Sequence, residues 1–266
     1  MSGLLTTRTV EKVWGRQHLP LPFVNHGSNP VGEIWFEPPA ELDSLLVKYL
    51  FTSEKLSVQC HPGDANAPEG QSGKEECWYV LDAEPGATLA IGLERQVSAD
   101  ELRAAATDGS IERLLKWHTV EAGDFFYLPA GTIHAIGPGL SLIEVQQNSD
   151  ITYRLYDYGR PRDLHLDAAI EVAVRGPYDP GHSRKVPPGG DALLVDGPHF
   201  RLERIAGEPD TGQMARYPGR VLVTPLSGKY RVNGASVKAG ECGWAQTLDA
   251  VQWPDDGLAL VSAACD

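Results

Sequence analysis

GDFFYLPAGTIHAIG, residues 123–137, decides the fold. Asp124 through Leu128 carry the aromatic and aliphatic side chains of a strand, and Pro-Ala-Gly-Thr then reverses the chain. Gly131 can take the positive φ that such a reversal asks for. His134 comes back at the start of a second apolar run, so the spacing Gly-x5-Pro-x-Gly-x2-His reads as strand, turn and a histidine projecting inward.

Upstream, LSVQCHPGDANAPEGQSGKEECW, residues 56–78, supplies partners for that histidine. Taken as a strand, residues 56–61 put Leu56, Val58 and Cys60 on one apolar face and Ser57, Gln59 and His61 on the other. A polar triplet facing a barrel interior is costly to bury unless something satisfies it, and a metal ion with water would do so. A strand whose polar face meets solvent explains the same pattern. Residues 62–73 form a Gly-, Pro- and Ser-rich excursion before the Glu75-Glu76 pair.

The rest of the chain agrees with a β architecture. With 266 residues, 42% of them hydrophobic, it can bury one large core or two smaller ones. Gly 28 and Pro 20 punctuate many short apolar runs. Strands are expected at 32–36, 45–51, 56–61, 77–81, 88–91, 124–128, 141–147 and 152–158. A helical insertion interrupts them at about 98–117, opened by a Ser98/Glu101 capping box, with helices over 99–106 and 111–117. A further helix is expected over 166–174. Residues 175–191 read as a linker and 192–266 as a second β domain, with strands at 199–205, 219–224 and 228–233.

A net charge of −13 argues against nucleic acid or an anionic membrane as partner. Any basic contacts to an anionic substrate must be local exceptions. No apolar run approaches the roughly 20 residues of a membrane helix. Four cysteines without CxxC spacing, and no leader-like start, make a cytoplasmic protein with reduced thiols the expectation.

Residues 123–137 resemble the second motif of the cupin superfamily, small β-barrels that hold a metal. Two departures stand out: Gly137 replaces the final Asn, and Gln59-x-His61 stands where most metal cupins have His-x-His. Both fit a narrower resemblance, to type I mannose-6-phosphate isomerases of the short bacterial class. Val13-Trp14-Gly15, residues 56–62, 73–78, 123–137 and 146–157 carry it.

That resemblance implies a mainly β fold: a cupin-type β-barrel (jelly roll), residues 1–174, followed by a degenerate C-terminal barrel without metal ligands. GECGWAQ, residues 240–246, lies where the second barrel would carry its motif, but lacks Pro-x-Gly and a closing His. The resemblance also implies one Zn²⁺ per chain, held by Gln59, His61, Glu76 and His134. Strand alternation independently allows only one of Glu75 and Glu76 to face the ion. Two oxygen ligands leave Mn²⁺, Co²⁺ or Fe²⁺ open as well.

The implied reaction interconverts mannose 6-phosphate and fructose 6-phosphate through an enediol, with a sugar phosphate as partner. Lys74 would bind the substrate's phosphate or its developing oxyanion. Arg154 would orient substrate, since a guanidinium is a poor base; pairing with Asp150 or Asp157 is its other reading. Glu144, in an apolar run, is the candidate base, with His61 and a metal-bound hydroxide as the other options. Lys48 either ends on the phosphate or snorkels to solvent, and Ser57 is a further substrate contact. A metal-bearing cupin that only binds a sugar phosphate is the alternative reading; an iron oxygenase fits Gln59 poorly. Monomer and dimer are both open.

Overall fold

Alternation along the strands sorts the side chains into layers, and the layers place the site. The structure is a computed structural model describing residues 3–265. Met1, Ser2 and Asp266, the outermost residues of the two expected domain ranges, lie outside the described residues. In chain order the first part comprises β1 (Thr7–Arg16), β2 (Val31–Phe36), β3 (Leu45–Phe51), β4 (Val58–Cys60), β5 (Glu76–Ala83) and β6 (Thr88–Leu93). Then come α1 (Ala99–Asp108), α2 (Ile111–Leu114), β7 (Leu115–Thr119), β8 (Asp124–Leu128), β9 (His134–Ile136), β10 (Leu140–Gln147), β11 (Tyr153–Tyr156), α3 (Leu166–Val172) and β12 (Ser183–Lys185).

These strands form a seven-stranded sheet in the order β1-β2-β3-β10-β5-β8-β12 and a five-stranded sheet in the order β11-β4-β9-β6-β7. Beyond residue 191 a second five-stranded sheet contains Ala192–Asp196, Phe200–Ala206, Leu258–Ala264, Val221–Ser227 and Gly243–Ala245. A three-stranded sheet of Ala235–Lys238, Lys229–Val232 and Val251–Gln252 follows it. The fold is mainly β and cupin-like.

The seven-stranded sheet is the middle layer. Leu50, Trp78, Val80, Phe126, Leu128 and Leu142 on one face pack with Leu89, Ile91 and Ile136 of the first five-stranded sheet. The alternate residues Val47, Tyr49, Phe51, Ile143 and Val145 pack instead with Leu194, Phe200, Leu202, Leu222 and Leu260 of the C-terminal sheet. Each such fully buried apolar side chain contributes about 1.5–3 kcal/mol. The outer face of the first five-stranded sheet, with Val58, Cys60, Ala135 and Leu155, is covered by Leu102, Ala105 and Ala106 of α1, Ile111 of α2 and Ala169 and Ile170 of α3. The helical insertion thus seals the back of the sheet that carries Gln59 and His134.

Several local expectations change. The strand expected over 56–61 pairs only at Val58–Cys60; before the ladder begins, Leu56 turns to the Trp14 and Trp78 cluster instead of sharing the Val58 and Cys60 face. The helix expected over 111–117 stops at Leu114, because Leu115–Thr119 pairs with β6 as an edge strand. Ser98 caps α1 through Glu101 N at 3.1 Å, but the Glu101 carboxylate pairs with Arg95 and leaves the capping box half made. Residues 175–191 contain β12, which extends the seven-stranded sheet beside β8. Leu5 joins the core shared by the two parts, and its N–H donates to Cys242 O at 2.9 Å.

Candidate active site

β4, β5, β9, β10 and β11 each present alternate residues to the space between the seven-stranded and first five-stranded sheets. Register places Gln59 opposite His134 on one side and opposite Arg154 on the other. On the facing sheet Glu144 of β10 lies between Lys48 of β3 and Trp78 of β5. Gln146, two residues along, pairs with Glu76. Sequence-distant polar residues are thereby gathered around one cavity of about 280 Å³, lined by Gln59, His61, Lys74, Glu76, Glu144 and Arg154 among others. That volume is close to the lower end of small-ligand pockets, about 300 Å³.

Two of its lining residues, His61 and Glu76, meet His134, a third metal-competent side chain. His61 Nε2 is 3.5 Å from Glu76 Oε2, His134 Nε2 is 3.5 Å from Glu76 Oε1, and the imidazole centroids are 4.9 Å apart. The ligand atoms of all three lie within 4.8 Å of one another, and all three residues are buried. Each imidazole has its Nδ1 on a backbone carbonyl: His61 on Ile151 O at 2.7 Å, His134 on Thr132 O at 2.9 Å. A carbonyl accepts only from N–H, so Nδ1 carries the proton and Nε2 offers its lone pair.

Burial favours neutral imidazoles here. It pushes His61 well below its ordinary value, with the charge of Lys74 adding to the effect, and lowers His134 to about 4. Gln59 completes the group. Its amide nitrogen is 3.3 Å from His134 Nε2 while its oxygen accepts from Ser57 Oγ at 2.8 Å. A half-turn of the carboxamide exchanges the two and would give a neutral oxygen donor.

Glu76 Oε1 is buried without a hydrogen-bond partner. Such an orphan is costly unless a partner satisfies it, and a divalent cation between two neutral imidazoles is one that fits. Burial and the neighbouring Glu144 charge push Glu76 up to about 7, a push that a bound cation would reverse. Glu75 lies outside this group. Tyr127 Oη donates to Glu75 Oε2, and His199 Nε2 is 3.7 Å from its other oxygen.

A second polar group sits beside the first. Lys74 Nζ contacts Glu76 Oε2, approaches His61 Nε2 at 3.4 Å and lies 3.7 Å from Glu144 Oε1. Burial alone would discharge Lys74, but Glu144 and Glu76 outweigh it and raise its affinity for the proton. Glu144 also accepts from Lys48 Nζ at 3.2 Å and Trp78 Nε1 at 3.0 Å. Burial would raise Glu144, yet Lys74, Lys48 and that indole N–H hold it down to about 2. Lys48 is 4% exposed and lies 4.2 Å over the Trp35 ring, so it does not snorkel to solvent.

Arg154 lines the cavity, donates from Nη1 to Asp163 O at 2.7 Å and keeps its buried Nε unpartnered. Asp157, itself buried, is taken by Arg160 and Arg162 and not by Arg154. A bulge falls between Arg154 and Tyr156, so Thr152 lines the cavity with Arg154 whereas Tyr156 packs under α1. Ser57, expected to contact substrate, is not among the described residues that line the cavity. It holds Gln59 from behind.

Lys12, Glu33, Trp35 and Asp150 also line the cavity, and the sequence reading missed them. Lys12 Nζ pairs with Glu33 Oε1 at 3.2 Å, and Trp35 Nε1 donates to the same carboxylate. Alternation in VGEIWF puts Glu33 and Trp35 on one face and was the available signal. The cavity's four cationic and four acidic side chains balance formally, a local exception in a chain of net charge −13.

Known proteins resemble the chain in sequence and in fold. No family model matches the chain. It is 39% identical over 212 residues to mannose-6-phosphate isomerase of Streptococcus mutans, covering 75% of this chain and 66% of that protein. It is 36% identical over 245 residues to the probable mannose-6-phosphate isomerase GmuF of Bacillus subtilis, covering 87% and 72%. The chain therefore spans about two thirds to three quarters of the length of these relatives. The crystal structure of mannose 6-phosphate isomerase from Bacillus subtilis superposes with a TM-score of 0.78 at 25% identity, covering 98% of each chain. A zinc-bound mannose 6-phosphate isomerase superposes at 0.70 and 14% identity, a likeness of fold. On the length and identity of these alignments, the chain belongs to the mannose-6-phosphate isomerase family.

Proposed function

We propose that this chain interconverts mannose 6-phosphate and fructose 6-phosphate, using one zinc ion held by Gln59, His61, Glu76 and His134. The observation that carries the reading is the buried His61, Glu76 and His134 group, with an orphaned Glu76 oxygen, beside Lys74, Glu144 and Arg154 in one cavity. When bound, zinc supplies Lewis-acid stabilisation of charge developing on a sugar oxygen. The chain's own residues supply the rest.

Lys74, held charged, donates to the oxygen next to the migrating proton. Arg154 orients the substrate with a guanidinium that stays protonated. Glu144 takes the C2 proton and returns it at C1, while the hydroxyl proton leaves O2 and a proton is received at O1, so that the C1 carbonyl becomes a hydroxyl and the C2 hydroxyl a carbonyl. Once Lys74 turns from Glu144 toward the substrate, the carboxylate loses one of the cations that suppress its basicity. Lys48 remains with Glu144 and meets the sugar phosphate from the Trp35 side.

Residues 1–174 are the catalytic part in this reading, 175–191 the connection and 192–266 a part without ligands. A cytoplasmic setting is supported by the buried, unbridged thiols Cys60, Cys77 and Cys242. No helix among the described residues is long and apolar enough to cross a membrane.

Metal analysis coupled to turnover tests the assignment. Chelation should abolish isomerisation and zinc restore it. Arg154→Ala should keep one metal per chain while kcat/KM falls by at least about 10²-fold, the scale of a lost charge-stabilising donor. Unchanged turnover in verified metal-free protein would rule out the metal's role, and an active Arg154→Ala would rule out the orienting arginine.

A further inference from the structure

Outside the cavity, one polar cluster joins the two parts of the chain. His199, just before the strand Phe200–Ala206, stands between two carboxylates. Its Nδ1 is 3.5 Å from Asp64 Oδ2 and its Nε2 3.7 Å from Glu75 Oε1. Both carboxylates belong to the segment that carries the proposed ligands: Asp64 lies three residues after His61, and Glu75 separates Lys74 from Glu76.

The base of that segment is clamped by hydrogen bonds. Asp64 Oδ1 accepts from Gly73 N at 2.6 Å and from Gln147 Nε2 at 3.1 Å. Gln147 Oε1 in turn accepts from Glu75 N at 2.9 Å, and Lys74 N donates to Pro62 O at 2.9 Å. The relative placement of His61 and Glu76 therefore depends on how residues 62–73 close. Asp64, with its side chain 53% exposed, is the least enclosed member of the clamp, and His199 flanks it on one side only. His199 is itself fixed by the rigid sheet behind it. Its O accepts from Cys265 N at 2.9 Å, and the neighbouring Phe200 ring lies 6.1 Å from Tyr127, which donates to Glu75.

We infer that His199 is a positioning residue for the metal site. By bridging Asp64 and Glu75 it fixes the spacing of His61 against Lys74 and Glu76, so the C-terminal part of the chain completes the scaffold of a centre to which it gives no ligand. The inference rests on the metal reading above. His199 touches no ligand itself: groups bonded directly to a ligand govern metal affinity by about 10- to 100-fold, and an effect relayed through Asp64 and Glu75 belongs at the lower end of that range.

The test is a competitive Zn²⁺ titration of the full chain against a chromogenic chelator. His199→Ala and His199→Phe should weaken zinc binding about tenfold. His199→Gln, which keeps one donor, should recover part of the loss. Tyr79→Phe removes the Arg204 Nη1 contact to Tyr79 Oη at 3.3 Å, a bond between the same two parts that involves none of the clamp's residues. That variant should lower the melting temperature without changing zinc affinity. Wild-type affinity in both His199→Ala and His199→Phe overturns the inference, as does equal weakening in Tyr79→Phe. A wild-type chain that binds no zinc overturns the metal reading, and this inference with it.

Discussion

Adjacent carboxylates on one strand edge are chemically alike, yet their surroundings give Glu75 and Glu76 different work. Glu76 opens β5 facing inward, with one oxygen near each buried imidazole. Glu75 turns to Tyr127 and His199. Glu76→Gln should accordingly abolish stoichiometric zinc, because a neutral amide replaces the one anionic ligand. Glu75→Gln should still load one ion per chain at saturating zinc, with looser affinity through the His199 clamp. Elemental analysis of stripped and reloaded protein distinguishes them, and an empty Glu75→Gln beside a loaded Glu76→Gln would reverse the assignment. Alternation in the sequence admits only one of the pair to the cavity, and the family resemblance is what pointed to Glu76. Lys48 and Glu144 were legible only as buried charges. Their contact depends on β3 and β10 being neighbours in the sheet, which alternation along single strands does not reveal.

At the scale of elements, the turn from β8 to β9 sets where His134 stands. Gly131 has φ of +80°, and a Cβ there would fall 2.4 Å from Val172 O. Its N–H donates to His61 O at 2.7 Å, so the same residue ties together the two strands that deliver the imidazoles. Gly131→Ala should destabilise the fold by about 1–3 kcal/mol from backbone strain alone. Zinc affinity should fall with it, both read from denaturant unfolding with and without zinc; an unchanged midpoint would show that the turn tolerates a side chain. Gly137, the departure from the general cupin pattern, has an equally local cause: a Cβ would sit 2.2 Å from Thr88 O. Turn chemistry of this kind reads well from sequence. Strand ends do not: residues 111–117 carry helix formers, yet pairing with β6 takes Leu115–Thr119 into the sheet. Propensity decides only where no tertiary partner competes.

For the whole molecule, the decisive feature is that the central strands β3 and β10 of the middle sheet are buried on both faces. Val47, Tyr49, Phe51, Ile143 and Val145 on its far side are buried with Leu194, Phe200, Leu202, Leu222 and Leu260. Two β-rich halves divided by a Pro- and Gly-rich segment look separable in sequence, because composition reports each half's capacity for a core and not whether the cores merge. Exposing those five side chains alone would cost several kcal/mol, at about 1.5–3 kcal/mol each, against a total stability of about 5–15 kcal/mol for a folded protein. The full chain should therefore unfold in one calorimetric transition, its van't Hoff and calorimetric enthalpies agreeing. A fragment ending at residue 191 should aggregate, or bind a hydrophobic dye with lost near-ultraviolet dichroism, because it leaves that face bare and also removes His199 from the clamp at Asp64. Two well-separated transitions, or a soluble fragment with native zinc affinity, would mean that the first part folds and builds its metal site without the second.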